Sequence, residues 1–124
     1  MLSGVSRPID IATESVDMRK SFDGLAAIVK NHFHHDPLVG HLFVFINRAA
    51  DRIKILYWDN DGYALWYKRL EAGRFRIPVA IIGEGKQVAL VSPAQLAMIL
   101  EGIEPVAVRK RKRFTLEKTG SNVS

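Results

Sequence analysis

The sequence predicts an α+β domain: an antiparallel β-meander of four to five strands, flanked by an N-terminal and a C-terminal helix and followed by a disordered basic arm. Three observations carry that expectation. Apolar residues recur at helical spacing before residue 34 and again after Ser92, β-like runs joined by two or three residues lie between, and cations gather at the C-terminus. The 124 residues amount to about one domain, placed at 1–104, with 105–124 as a flexible basic tail.

The elements follow in order. Residues 8–13, from Pro8 to Thr13, alternate weakly and predict a short edge strand. Asp17 offers an N-cap side chain, and Met18, Phe22, Leu25, Ala26, Val29 and Phe33 make one apolar stripe on a helix of roughly four turns. Gly24 inside that helix costs about 1 kcal/mol relative to alanine, so packing must compensate or something must approach closely there. Residues 31–40 read as an exit loop. Four β-like runs follow at 41–48, 52–59, 62–70 and 74–82. Their links are too short for parallel crossovers, so hairpins are expected. Pro78 cannot donate to a ladder and marks the fourth run as an edge or a bulge. Residues 87–91 supply a fifth strand. Ser92 as N-cap, Pro93 at N1 and Gln95 at N3 form a capping box, and Leu96, Ile99, Leu100 and Ile103 face the core up to Gly102.

Composition excludes several functions. Cysteine is absent, which removes disulfides, thiolate metal sites and cysteine nucleophiles and fits a cytoplasmic location. No apolar run approaches the roughly 18 residues of a membrane span, and residues 1–10 lack a signal-peptide core. The net charge of +5 is local. Arg109, Lys110, Arg111, Lys112, Arg113 and Lys118 face one acid, Glu117, while residues 1–104 hold 12 bases and 12 acids. Five consecutive cations stay solvated, and Arg109 to Arg113 can bind nucleic-acid phosphates with little sequence preference. A solubilising tail is the plainer alternative.

The stretch LYWDNDGYALWYKRLE, residues 56–71, is the most crowded in the chain. Asp59 and Asp61 fit the apex of a hairpin, with Gly62 accepting a positive φ, better than they fit a metal-dependent nuclease. Two-metal chemistry gathers three or more carboxylates, and no other acid run is placed to join these two. Alternation separates Ile53, Ile55 and Tyr57 from Lys54, Leu56 and Trp58, and Tyr63, Leu65 and Tyr67 from Ala64, Trp66 and Lys68. Both faces are apolar, so one covers the core and the other is either covered too or opens as a partner surface, for which Trp58, Trp66 and Lys68 are the candidates. Aromatics interleaved with Lys54, Lys68, Arg69, Arg74 and Arg76 also resemble a base-stacking sheet, although aromatics are simply good strand formers. His32, His34, His35 and Asp36 form a dense cluster at a helix end, with His41 the one histidine elsewhere; no second ligand group is evident, so no metal is expected. No catalytic residue and no cofactor follows from any motif.

The blocks VDMRKSFDGLAAIV, GHLFVF, DRIKILYWDNDG, KRLEAGRF and SPAQLAMILEGIE closely resemble one family, in family order over residues 8–104. This is the accessory TnpB-type protein, from the second open reading frame, of the sixty-six family of bacterial insertion sequences. The resemblance implies participation in transposition beside a separate DDE-type transposase; the expectation drawn here is a non-enzymatic accessory protein that contacts DNA, with docking on the transposase without DNA affinity as the alternative. The resemblance supplies no catalytic residue. Ser21 departs from the family's usual glycine, and both the histidine cluster and the arm lie in variable regions. Within the matched block, Arg19 and Lys20 sit where a helix N-terminus opposes cations, which hints at phosphate or a partner's acids. Pairing with Asp17 and Asp23 is the equal alternative.

Overall fold

In chain order the elements are β1 (Ile9–Ala12), α1 (Phe22–Ile28), a π-helical turn (Val29–Phe33), β2 (Leu42–Ile46), β3 (Arg52–Trp58), β4 (Tyr63–Arg69), β5 (Val88–Val91) and α2 (Pro93–Glu101). The computed structural model describes residues 7–78, 81 and 85–101. Its five strands form one sheet in the order β4-β3-β2-β1-β5. All neighbours are antiparallel except β1 and β2, which run parallel. The α+β class and the two flanking helices are as the sequence predicts. Arg109, Lys110, Arg111, Lys112 and Arg113 lie outside the described residues, as does the predicted 105–124 tail.

Three local expectations are corrected. Residues 8–13 are not an edge: β1 lies between β2 and β5, and all four of its residues are buried. A strand covered on both faces shows little alternation, which is why this run reads weakly. The link from β1 to β2 is long enough to carry α1, and that crossover permits the parallel pair. Residues 74–78 are not a strand. Phe75 donates its N–H to Ala50 O (2.7 Å) and, with Ile81, enters the core from an irregular segment containing Pro78. The strand count survives because β1 replaces the run lost at 74–78. Asp17 does not cap α1, whose N-cap position is Ser21 without a side-chain hydrogen bond. It closes a turn ahead of the helix, accepting from Arg19 N at 2.9 Å, while Lys20 N donates to Asp17 O at 3.1 Å.

The helices cover opposite faces. Leu96 and Ile99 of α2 pack on Ile11, Val44, Ile53 and Ile55. Leu25, Val29 and Phe33 pack on Phe43, Phe45 and Leu56, and Phe33 lies 5.7 Å from Phe45, ring to ring. Burying such side chains stabilises by about 1.5–3 kcal/mol each. The capping box of α2 forms as read: Gln95 N donates to Ser92 Oγ (3.1 Å) and Ser92 N to Gln95 Oε1 (2.8 Å). At the β3–β4 apex, Asp59 N donates to Gly62 O, but Asn60 rather than Gly62 takes the positive φ, at 62°. Asparagine tolerates that conformation through its short polar side chain.

Candidate nucleic-acid interface

Lys54 organises the surface. Alternation along β3 sends its side chain to the face that also holds Phe45 and Leu56, where it is only 6% exposed. A buried ammonium must be satisfied, and here two backbone oxygens do so: Nζ donates to Met18 O and to Lys20 O, each at 2.8 Å. Those bonds pin the 17–20 turn against the sheet. The same ammonium lies 4.7 Å from the centroid of Tyr67, the residue opposite Lys54 on β4. Tyr67 is 48% exposed on the edge strand.

Around Tyr67 the cations converge. Arg52 and Arg69 stand directly opposite one another at the ends of β3 and β4, and Arg52 Nη1 reaches the Tyr67 hydroxyl at 3.5 Å. Like charges across a ladder are unfavourable; Glu71 relieves them by accepting from Arg69 Nε and Nη2 at 3.0 and 2.9 Å. The pinned turn brings Arg19 and Lys20 to the same face. A Cβ on Gly24 would lie 3.2 Å from Lys20 Cβ, so the glycine leaves room for the lysine stem to run over α1. That is the close approach its place inside a helix called for.

Asp17 partly neutralises the patch. It accepts from Arg19 Nε and Nη2 at 3.0 and 2.7 Å, and those hydrogen bonds, first among the causes, lower its pKa to about 2. Arg19 remains highly exposed, and its Nη1 has no partner among the described residues. Lys20 makes no ion pair among the described residues, so neither Asp17 nor Asp23 holds it. A cavity of about 400 Å³ borders the turn, with Lys20 and His32 offset by Glu14 and Asp17 in its lining, so it carries no net attraction for anions.

The other sequence-derived candidates separate. Trp58 and Trp66 do not share a wall. In an antiparallel ladder the residues opposite each other share a face, and the register pairs Trp58 with Tyr63 and Ile55 with Trp66. Trp58 meets the Tyr63 ring edge-on at 5.2 Å, whereas Trp66 packs against the core beneath α2. Lys68 donates to Leu100 O at 3.3 Å and so caps the last turn of α2. Asp59 and Asp61 are exposed at the hairpin apex.

The histidine cluster divides as well. His34 ends the π-helical turn in the left-handed region (φ 59°), Asp36 accepts from Leu38 N at 3.0 Å, and His32 borders the cavity. His35 instead turns towards His41 and Asp10. Sequence reasoning missed Lys54 and Asp10 as organising residues. Asp10 is the one charge in IDIA, and Lys54 is the charge interior to RIKILYW, flanked by Ile53 and Ile55; a charge inside a β-like apolar run was the available signal.

Comparison with known proteins supplies an independent line. A family model described as IS66 Orf2 like protein matches residues 7–110. The uncharacterized protein y4hO of Sinorhizobium fredii (strain NBRC 101917 / NGR234) is 42% identical over 102 residues, 82% of this chain and 85% of that protein. The uncharacterized protein y4jC of the same strain is 35% identical over 104 residues, 83% of this chain and 85% of that one. No solved structure matches the chain.

Proposed function

The chain belongs to the IS66 Orf2-like family of insertion-sequence accessory proteins, and from that premise we propose that it assists transposition by contacting DNA phosphates without catalysing a step. The observation that carries this reading is the pair Arg52 and Arg69 beside the half-exposed ring of Tyr67, with the turn that bears Arg19 and Lys20 held on the same face by buried Lys54. Cations flanking an exposed aromatic are the chemistry of backbone tracking combined with base stacking. The basic run Arg109 to Arg113 would add unspecific phosphate contacts to the same task.

The test is a salt titration of DNA binding by the full chain. Glutamine at Arg109, Lys110, Arg111, Lys112 and Arg113 should weaken binding uniformly across sequences. Glutamine at Arg19 and Lys20 should weaken it further in the same background. No measurable binding by the intact protein at low salt would sink the proposal.

A second reading, docking on the element's transposase without DNA affinity, has its own observation. Leu90 is 71% exposed on the edge strand β5. Under that reading Leu90→Arg abolishes copurification with the transposase while DNA binding is nil.

No helix among the described residues is long and apolar enough to cross a membrane.

A further inference from the structure

We propose that Asp10, His35 and His41 form a binding site for one divalent transition-metal ion. Each offers a ligand atom, and the three atoms lie within 4.8 Å of one another. Two imidazoles and one carboxylate suit zinc, cobalt, nickel or iron(II), and leave coordination positions open for water or a further ligand.

The fold builds the site from three separate places. Asp10 stands in the middle of β1, opposite Phe43 on one side and Leu90 on the other, and is only 2% exposed. Its described hydrogen bond is the one from His41 Nδ1 to Oδ2, at 2.5 Å. A carboxylate has about four acceptor positions, and burying it with one partner leaves most of that capacity unused. His41 precedes β2, two residues before Phe43 and therefore on the same face as Asp10. His35 arrives by a conspicuous backbone device. His34 adopts φ 59°, which few residues other than glycine take, and His35 N then donates back to Val29 O at 3.1 Å. The reversal sets the His35 ring 5.0 Å from His41. Phe43 walls the site, with its ring 5.8 Å from His41 and 6.2 Å from His35. Apolar walls on one side and a partly exposed imidazole on the other give an ion a dry seat and an entry path.

The geometry asks one pair to open slightly and the widest ligand spacing, at most 4.8 Å, to close by up to about 1.5 Å. Metal–ligand bonds of about 2.0–2.1 Å in a tetrahedron place ligand atoms roughly 3.3 Å apart. The His41–Asp10 pair therefore opens by about 0.8 Å as the metal replaces the shared proton. His32 and His34 take no part.

The experiment uses the untagged full chain, stripped with EDTA and titrated with cobalt(II), followed by visible absorption and calorimetry. One equivalent should bind saturably, with ligand-field bands that zinc displaces, and should raise Tm by ~5 °C or more at a hundredfold excess over Kd. His35→Ala and His41→Ala should each lose at least about tenfold in affinity, Asp10→Asn likewise, and His32→Ala with His34→Ala should lose none. His35 is partly exposed, so its variant tests the site even if Asp10→Asn fails to fold. Absence of saturable binding at one equivalent by the folded protein overturns the proposal. So does binding that survives in His35→Ala, or that vanishes when only His32 and His34 are removed.

Discussion

Beneath α2 the sheet presents Ile11, Val44, Ile53 and Ile55, whereas beneath α1 the same strands present Phe43, Phe45 and Leu56 together with Asp10 and Lys54. Among the described residues the two buried charges are these, and both lie on the second face. A buried charge is tolerated only where partners satisfy it, and replacing it with an apolar residue is often harmless to stability. The first face is therefore organised for packing alone. The second carries two polar devices, one holding a cationic turn beside Tyr67 and one gathering two histidines. Function is expected where the core departs from the cheapest packing.

That contrast can be broken by substitution. Ile55 is fully buried beneath α2, and Ile55→Ala should cost about 3 kcal/mol in urea unfolding while leaving the DNA affinity of the folded protein unchanged. Lys54→Met should cost about 2 kcal/mol, since the Met18 and Lys20 carbonyls lose their donor, and should also weaken DNA binding as the turn comes loose. The first substitution moves stability only; the second moves both. If Lys54→Met left binding intact, the turn would have no part in it.

Tyr67→Ala sharpens the same contrast from the surface. It should remove about 1–3 kcal/mol of single-stranded DNA binding, measured by fluorescence anisotropy, and lower stability by about 0.5–2 kcal/mol through the lost cation–π contact with Lys54. The smallest effect concerns Asp17. Its pKa is depressed to about 2 by the hydrogen bonds from Arg19, so the pairing is complete above about 3.8 and is lost as pH falls through about 2. Carboxyl NMR should find that midpoint, no change in the turn between pH 7 and 5, and a return towards 3.8 in Arg19→Ala.

How far the sequence could be read depends on how local each signal is. The capping box at Ser92, Pro93 and Gln95 is set by side chains within one turn, and it forms as read. The hairpin of β3 and β4 is equally local, because a four-residue apex joins two alternating runs. The place of β1 was not legible, since its partners Leu42 and Val91 are far along the chain and its burial on both faces hides the alternation. The grouping of Trp58 with Trp66 failed for a related reason. Which residues share a wall depends on the cross-strand register, and one residue of register exchanges the faces. Arg19 and Lys20 were visible as cations near a helix start, but the docking of their turn on the face of Tyr67 rests on Lys54 bonding to the Met18 and Lys20 carbonyls. His35 could be seen in its cluster; its partners Asp10 and His41 come together only when β1 and β2 pair.

The most direct test of the cationic, aromatic face is the salt dependence of duplex binding by the full chain, wild type against Arg19→Gln with Lys20→Gln. Each phosphate contact contributes about 0.9 to the log–log slope. The account predicts a slope shallower by roughly 1 to 2 with unfolding stability unchanged, the lower figure applying if Asp17 keeps Arg19 partly engaged. A slope equal to that of the wild type would contradict it.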